Sequence, residues 1–261
     1  MKKEDILGLF DVTGKVAIIT GATGGFGEMA AKMLTTMGAK VMLTGRKAAK
    51  LESIVKGIAA EGGSAAFVAG DPCKIEDVKK VIDATVKQFG GVDILITAAG
   101  TNAHAPITTQ DQAEWEGVID CNVKGTYLFC REVGKVMIEQ KRGGKVVLLG
   151  STRGMVGISD FTAYCASKGA IHMFAKCLGT EWGKYGITVN AIAPSVFRTE
   201  LTKGLFAKEN EHIYKMVCSR VPVGRLGEPD DFQGILLYLC SKASEWTTGA
   251  TFYVDGGFTA C

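Results

Sequence analysis

A chain of 261 residues with 47% hydrophobic content holds enough apolar material for one large α/β domain with a full core. Its net charge of +3 is spread over interspersed acids and bases, with no Lys/Arg block able to track a phosphate backbone, which argues against nucleic acid as a partner. The start Met-Lys-Lys-Glu-Asp lacks the apolar core of a signal peptide, and no run reaches the roughly 18 apolar residues of a membrane span, so the expectation is a cytoplasmic protein with no membrane partner.

The first apolar run, V-A-I-I-T at 16–20, is short and bounded by glycine, the pattern of a strand buried on both faces. It leads through G-A-T-G-G-F-G (21–27) into a helical pattern over 28–37 that Gly38 ends. In this strand-turn-helix setting the cluster reads as a diphosphate cradle: Gly21 for the tight turn, Gly25 for close approach of backbone amides, Gly27 for contact of helix with sheet. The second strand, K-V-M-L-T at 40–44, runs into Gly45-Arg46-Lys47, where such folds meet the adenosine ribose. An acid there would hydrogen-bond a free 2′-hydroxyl. Here Gly45 leaves room and Arg46 offers a planar fork to a 2′-phosphate, which favours NADP, with NAD as the alternative. Gly24 supplies no second basic group, although the Thr23 hydroxyl can assist.

The alternation continues with helix 48–61, strand 65–69, helix 75–89 and strand 92–97, which predicts a doubly wound parallel sheet. Asp71 follows the third strand and Ala98-Ala99-Gly100 the fourth, at the carboxyl edge where such sheets bind ligands. Asp71 is either an acceptor for an adenine amino group or the cap of the helix beginning near Ile75. A long helical pattern over 111–140 contains Asn122 in C-N-V-K-G, a locally unfavourable insertion that predicts a kink or a polar side chain with a specific task. Strand 145–150 then delivers Ser151, a helix from about Phe161 to Tyr185 carries Tyr164 and Lys168, and strand 187–193 follows.

After Pro194 the alternation breaks. Residues 195–224 form an insert with apolar or aromatic side chains at Phe197, Leu201, Leu205, Phe206, Tyr214 and Met216, placed to act as a helical lid over a substrate. A helix from Pro229 to about Ser241 and a strand over 251–257 close the chain, with no linker or repeat, so a single domain is expected over 1–261. The eight cysteines show no C-x-x-C pair and no His-rich neighbours, so reduced thiols and no metal site are expected.

The chemistry centres on Y-C-A-S-K, 164–168. Tyr164 and Lys168 stand one helical turn apart, so the ammonium is expected near the phenol, favouring phenolate and bringing its pKa down from about 10 towards the range of a general acid-base. The pair is a weak signal alone and gains weight from its companions. The pattern T-G-x-x-x-G-x-G at Thr20–Gly27, Ser151 thirteen residues before Tyr164, Tyr164-x-x-x-Lys168 and the upstream Asn122 together closely resemble the short-chain dehydrogenase/reductase family, over nearly everything from Phe10 to Cys261.

That resemblance implies a single-domain Rossmann fold and hydride transfer between a nicotinamide and a carbonyl or alcohol carbon. It implies that Tyr164 moves the proton on the substrate oxygen, Ser151 hydrogen-bonds that oxygen, Lys168 holds the nicotinamide ribose, and Asn122 positions a water. It assigns the cofactor to the turn of Gly21, Thr23, Gly24, Gly25, Phe26 and Gly27, to Arg46, to Asp71 at the adenine, to Ala99 at the ribose, to Tyr164 and Lys168, and to the Phe197 backbone and Thr199 at the carboxamide. Two departures stand out: T-A-A-G at 97–100 lacks the family's amide side chains, and Pro194-Ser195 replaces Pro-Gly. Within the family the segments G-R-L-G-E-P-D-D and E-W-G-K-Y-G-I-T-V-N-A-I-A-P are most similar to gluconate 5-dehydrogenase-like and 3-oxoacyl reductase-like members. A secondary alcohol or ketone is the expected substrate, such as a keto-sugar acid or polyol, with 3-oxoacyl thioesters and alicyclic or steroid ketones as alternatives. A non-catalytic cofactor-binding subunit is the alternative of another class. Arg153 is the candidate reader of a substrate anion and His104 a candidate pocket residue. The family resemblance also implies a homo-oligomer, a tetramer.

Overall fold

The computed structural model describes residues 2–199, 202–206 and 210–261, without the side chains of 205 and 206. Leu201 and the side chains of Leu205 and Phe206, assigned above to the lid, therefore lie outside the described residues. An exposed helix that the sequence reading did not anticipate, α1 (Lys3–Gly8), precedes β1 (Val16–Thr20), α2 (Gly25–Thr36), β2 (Lys40–Gly45), α3 (Ala48–Ala60), β3 (Ser64–Ala69), α4 (Ile75–Phe89) and β4 (Ile94–Thr97). The second half runs α5 (Gln112–Ile119), a π-helical turn (Asp120–Lys124), α6 (Gly125–Gln140), β5 (Gly144–Leu149), α7 (Thr162–Trp182) and β6 (Ile187–Pro194). Helices α8 (Glu211–Cys218) and α9 (Pro229–Cys240) and strand β7 (Thr251–Val254) complete it.

Among the described residues, seven strands form one sheet in the order β3-β2-β1-β4-β5-β6-β7, and every pairing is parallel. The unbroken apolar runs have a simple cause. Along β1, Ala17 and Ile19 face one core with Leu34 of α2, Leu51 of α3 and Phe232 of α9, while Ile18 faces the other with Val78 of α4, Phe129 of α6 and Ile171 of α7. A strand covered by helices on both sides has no polar face to show. The chain winds outward from β1 to β3, then crosses back to place β4 against the other side of β1, so the carboxyl ends of β1 and β4 meet at the topological switch point.

Four elements are shorter or more broken than their patterns suggest. Strand β4 begins at Ile94 and leaves Asp93 outside, because its carboxylate accepts from Val16 N at 2.9 Å and from Arg142 Nε at 2.8 Å. Strand β7 ends at Val254: Gly256 and Gly257 have φ of 63° and 91°, and the Asp255 carboxylate accepts from the amides of Gly257 and Thr259. The predicted helix over 111–140 is interrupted by the π turn that holds Asn122, and α7 gives way to a 3-10 turn after Trp182.

Phe129 is 2% exposed in the core between sheet and α6. Phe129→Ala is expected to lower the unfolding free energy by about 3–5 kcal/mol; urea denaturation checks this, and a loss below about 1 kcal/mol would contradict the packing described.

Candidate active site

The glycine turn is built by close approach. Gly21 has φ of +60°, and a methyl group there would lie 2.5 Å from the Ala99 Cα, so the ends of β1 and β4 can touch only through glycine. A methyl on Gly27 would lie 2.4 Å from the Gly21 carbonyl oxygen, which lets α2 start directly on the turn. Gly25 has a different reason from the one read in the sequence: the space its side chain would take is filled by Thr199, whose methyl would be 2.6 Å away. Phe26 turns inward against Phe197, with ring centres 5.3 Å apart, and Phe232. Gly24 is the N-cap of α2 and offers no capping side chain, so no side chain occupies the amides of the first turn at the positive end of the helix.

A groove of about 550 Å³ lies beyond the carboxyl ends of β2, β3 and β4 and is lined in part by Arg46, Asp71, Thr101, His104 and Cys121. Asp71 lines it as expected of an adenine contact. It does not cap α4, whose N-cap is Lys74; instead Asp71 Oδ1 accepts from Cys73 N at 2.9 Å and closes the preceding bend. Lys50 is a basic group that the sequence reading missed. Its ammonium donates to the Thr23 carbonyl at 2.8 Å, beside the opening at Gly45. Its position one helical turn beyond Arg46 was the available signal.

Ser151 follows the end of β5, and α7 carries Tyr164 and Lys168. The Ser151 hydroxyl lies close enough to the Tyr164 phenol to favour its ionised form. Lys168 is 4% exposed; its Nζ donates to the Leu149 carbonyl at 2.7 Å and lies 5.7 Å from the centre of the Tyr164 ring. The expectation that this cation dominates the phenol is corrected here. Burial is the largest influence on Tyr164 and raises its pKa, while Ser151 and, more weakly, Arg153 act in the opposite direction. Burial likewise pushes the Lys168 ammonium down to about 8.

Asn122 is 1% exposed and its side-chain amide is fully engaged: Oδ1 accepts from Thr101 N at 2.8 Å, and Nδ2 donates to Thr101 O at 3.0 Å and Ser167 Oγ at 2.9 Å. Ser167 Oγ in turn donates to the Tyr164 carbonyl at 2.7 Å. The side chain thus ties the loop after β4 to α7. Ser167 was missed, since a serine inside Y-C-A-S-K reads as an ordinary helix residue.

The remaining candidates divide. Phe197 is buried, and its backbone joins Gly227 through Arg198 N to Gly227 O at 2.7 Å and Gly227 N to Val196 O at 3.0 Å, which pins both ends of the insert together. Thr199 sits over Gly25 with its amide donating to Thr202 Oγ1 at 2.9 Å. Arg153 lies over the Phe258 ring, 5.1 Å from its centre, close enough to Tyr164 to bias the phenol. His104 is an exposed rim side chain, stacked edge-on against Phe161 with Nε2 3.9 Å from Asp160. Ser195, the residue in place of the family's glycine, lines a second cavity with Phe197 and Tyr253. In the altered T-A-A-G stretch, Thr97 Oγ1 is buried with no hydrogen-bond partner, and Ala99 N donates to Thr20 Oγ1 at 3.1 Å. Among the described residues no cluster could hold a metal ion, and no helix is long and apolar enough to cross a membrane.

A strand-turn-helix cradle at the switch point facing a Ser-Tyr-Lys cluster defines a class of nucleotide-dependent oxidoreductases, and comparison with known proteins agrees. The family model described as enoyl-(acyl carrier protein) reductase matches residues 21–259. An uncharacterized oxidoreductase of Mycobacterium tuberculosis is 40% identical over 98% of this chain and 95% of its own length. Gluconate 5-dehydrogenase of Gluconobacter oxydans is 34% identical over 96% of this chain and 97% of its own. A crystal structure of gluconate 5-dehydrogenase from Burkholderia cenocepacia, in complex with NADP and tartrate, superposes with a TM-score of 0.91 at 30% identity, covering 98% of this chain and 99% of that one. The chain belongs to the short-chain dehydrogenase/reductase family and is an oxidoreductase of that family.

The buried lysine has a consequence for stability. The folded ammonium loses its proton at about 8 and the unfolded one at 10.5, so between these values the unfolded chain binds more protons and stability rises with pH. Relative to Lys168→Met, wild-type unfolding free energy is expected to climb by on the order of 3 kcal/mol over that window. Denaturant titrations of both proteins check it, and parallel pH profiles would contradict it.

Proposed function

We propose that this protein reduces a keto-sugar acid or oxidises the corresponding hydroxy acid, using NADP. The observation that carries the reading is the Ser151 hydroxyl close enough to the Tyr164 phenol to favour its ionised form, with the buried Lys168 ammonium 5.7 Å from the centre of the same ring. The residues fit a dinucleotide: the uncapped start of α2 for a diphosphate, Arg46 with Lys50 close by for a 2′-phosphate, Asp71 and Ala99 for the adenosine, Lys168 for the second ribose. When bound, the cofactor supplies or accepts a hydride at carbon.

The chain's own part is to manage charge on the substrate oxygen. In the reducing direction that oxygen becomes an alkoxide, and a buried site must stabilise and protonate it without bulk water. Ser151 Oγ donates a hydrogen bond to the oxygen, and Tyr164 Oη delivers the proton. Burial holds the phenol protonated until it is needed, and the Lys168 cation steadies the phenolate that remains. Asn122 acts through structure, fixing Thr101 and α7 in place. Arg153, two residues beyond Ser151, takes the role of reading the substrate carboxylate, in keeping with the sugar-acid relatives. The insert over 195–224, with α8, covers the substrate. A single domain over 1–261, assembled as a cytoplasmic homotetramer, completes the reading and rests on family resemblance.

Tyr164→Phe is expected to cut kcat for 5-ketogluconate reduction by about 10²–10⁴-fold while NADPH binding, followed by cofactor fluorescence, is kept; full turnover would remove the phenol from the mechanism. Arg153→Ala should raise KM for 5-ketogluconate by about 10–100-fold, the worth of a hydrogen bond to a charged group, and leave KM for uncharged threitol unchanged. An unchanged KM for the acid would end the carboxylate role.

A further inference from the structure

The proposed mechanism leaves one buried titratable side chain without a task. His172 follows Lys168 by one turn of α7 and is 8% exposed. Its ring occupies the space that side chains at Gly150 and Gly154 would need: a methyl at Gly150 would lie 2.6 Å from His172 Nε2, and one at Gly154 would lie 2.6 Å from Cε1. These two glycines bracket Ser151, Thr152 and Arg153, the tight turn closed by Gly154 N donating to Ser151 O at 2.9 Å and Val156 N donating to Thr152 O at 2.9 Å. The far side of the ring meets Tyr253 of β7 edge-on, with centres 6.0 Å apart. Nε2 is buried with no hydrogen-bond partner, so on that side the ring meets the chain through packing alone, while the Ser151 backbone acts on the ring from the turn itself.

We propose that His172 is a positioning residue: its uncharged ring, wedged between Gly150 and Gly154, fixes the turn that presents the Ser151 hydroxyl to the Tyr164 phenol. The ring's neutrality belongs to the device. Burial holds the imidazole below its ordinary value of 6.5, the Lys168 and Lys176 cations on the same helix add to this, and the Ser151 backbone works the other way. Among the described residues the groups that act on the ring are the Lys168 and Lys176 cations and the Ser151 backbone, with Tyr253 against its edge and no carboxylate among them. As pH falls, a proton on this ring places a further cation one turn from Lys168 inside the core, and the wedge loosens.

The activity arms of the test rest on the function proposed above; the exchange arm does not. Hydrogen exchange on the free protein should show the amides of Gly154, Met155 and Val156 opening at least about tenfold faster in His172→Ala than in wild type, with the amides of α2 unchanged. In 5-ketogluconate reduction, Gly150→Ala should lower kcat about tenfold or more with KM for NADPH unchanged, since its methyl meets the imidazole first and the next atom, Ile192 O, only at 3.2 Å. Adding His172→Ala to Gly150→Ala should restore most of that loss, a non-additive cycle that generalised destabilisation does not give. His172→Phe, which keeps a ring and cannot be protonated, should move the acid limb of kcat to lower pH. Losses that multiply in the double variant, an acid limb unmoved in His172→Phe, or unchanged exchange at 154–156 would each overturn the wedge. If wild type reduces no carbonyl compound, the functional reading fails and the exchange result still decides the wedge.

Discussion

A single ammonium ion taken out of water sets the terms for this molecule. Lys168 is almost wholly buried, and its one recorded hydrogen bond runs to the Leu149 carbonyl. A charge in such surroundings is costly, and the protein answers with a lowered proton affinity and with polar groups held around it at fixed positions. The Leu149 carbonyl stands at the last residue of β5, immediately before the turn that carries Ser151. The cation therefore couples the helix bearing the phenol to the strand end that precedes the Ser151 hydroxyl.

Around that link the structure spends its buried polar groups on holding loops. Asn122 interrupts a helix with a π turn, and its amide then spans from the loop after β4 to Ser167, which in turn holds the Tyr164 carbonyl. An irregular helix is tolerated because every polar atom of that side chain is matched. The same economy appears at the glycine turn, where the absence of a Cβ at Gly21 and Gly27 lets two strand ends and a helix start share one small volume. Both devices lie at the switch point, the place in a doubly wound sheet where adjacent loops part and leave a groove.

The insert after β6 is joined to the sheet at its two ends. Its entry and exit are paired through Val196, Arg198 and Gly227, reinforced by the Arg198–Glu228 ion pair at 2.9 Å, while Met216 on α8 remains exposed. The clamp is carried by backbone bonds next to Phe197 and its aromatic partners Phe26 and Phe232. Exposed ion pairs of this kind add little to stability, so the backbone pairing carries the constraint.

Composition and local pattern determined the class of fold and most of the site. Buried parallel strands write continuous apolar runs, glycine turns show themselves as clusters, and a phenol four residues before a lysine is legible as one helix face; these signals are local in the chain, and the matching order of Gly21, Asn122, Ser151, Tyr164 and Lys168 identified the family. Tertiary structure alone decided the rest, because the remaining terms join residues far apart in sequence. Gly25 is explained by Thr199, Lys50 reaches the glycine turn across β2, Asp71 closes a bend instead of capping a helix, and His172 fills the room left by two glycines on another element. The direction of the Tyr164 shift belongs to the same group: the charge beside the phenol was visible in the sequence, but the burial that outweighs it is a property of the packed protein, since desolvation depends on everything that surrounds a group and not on its neighbours along the chain.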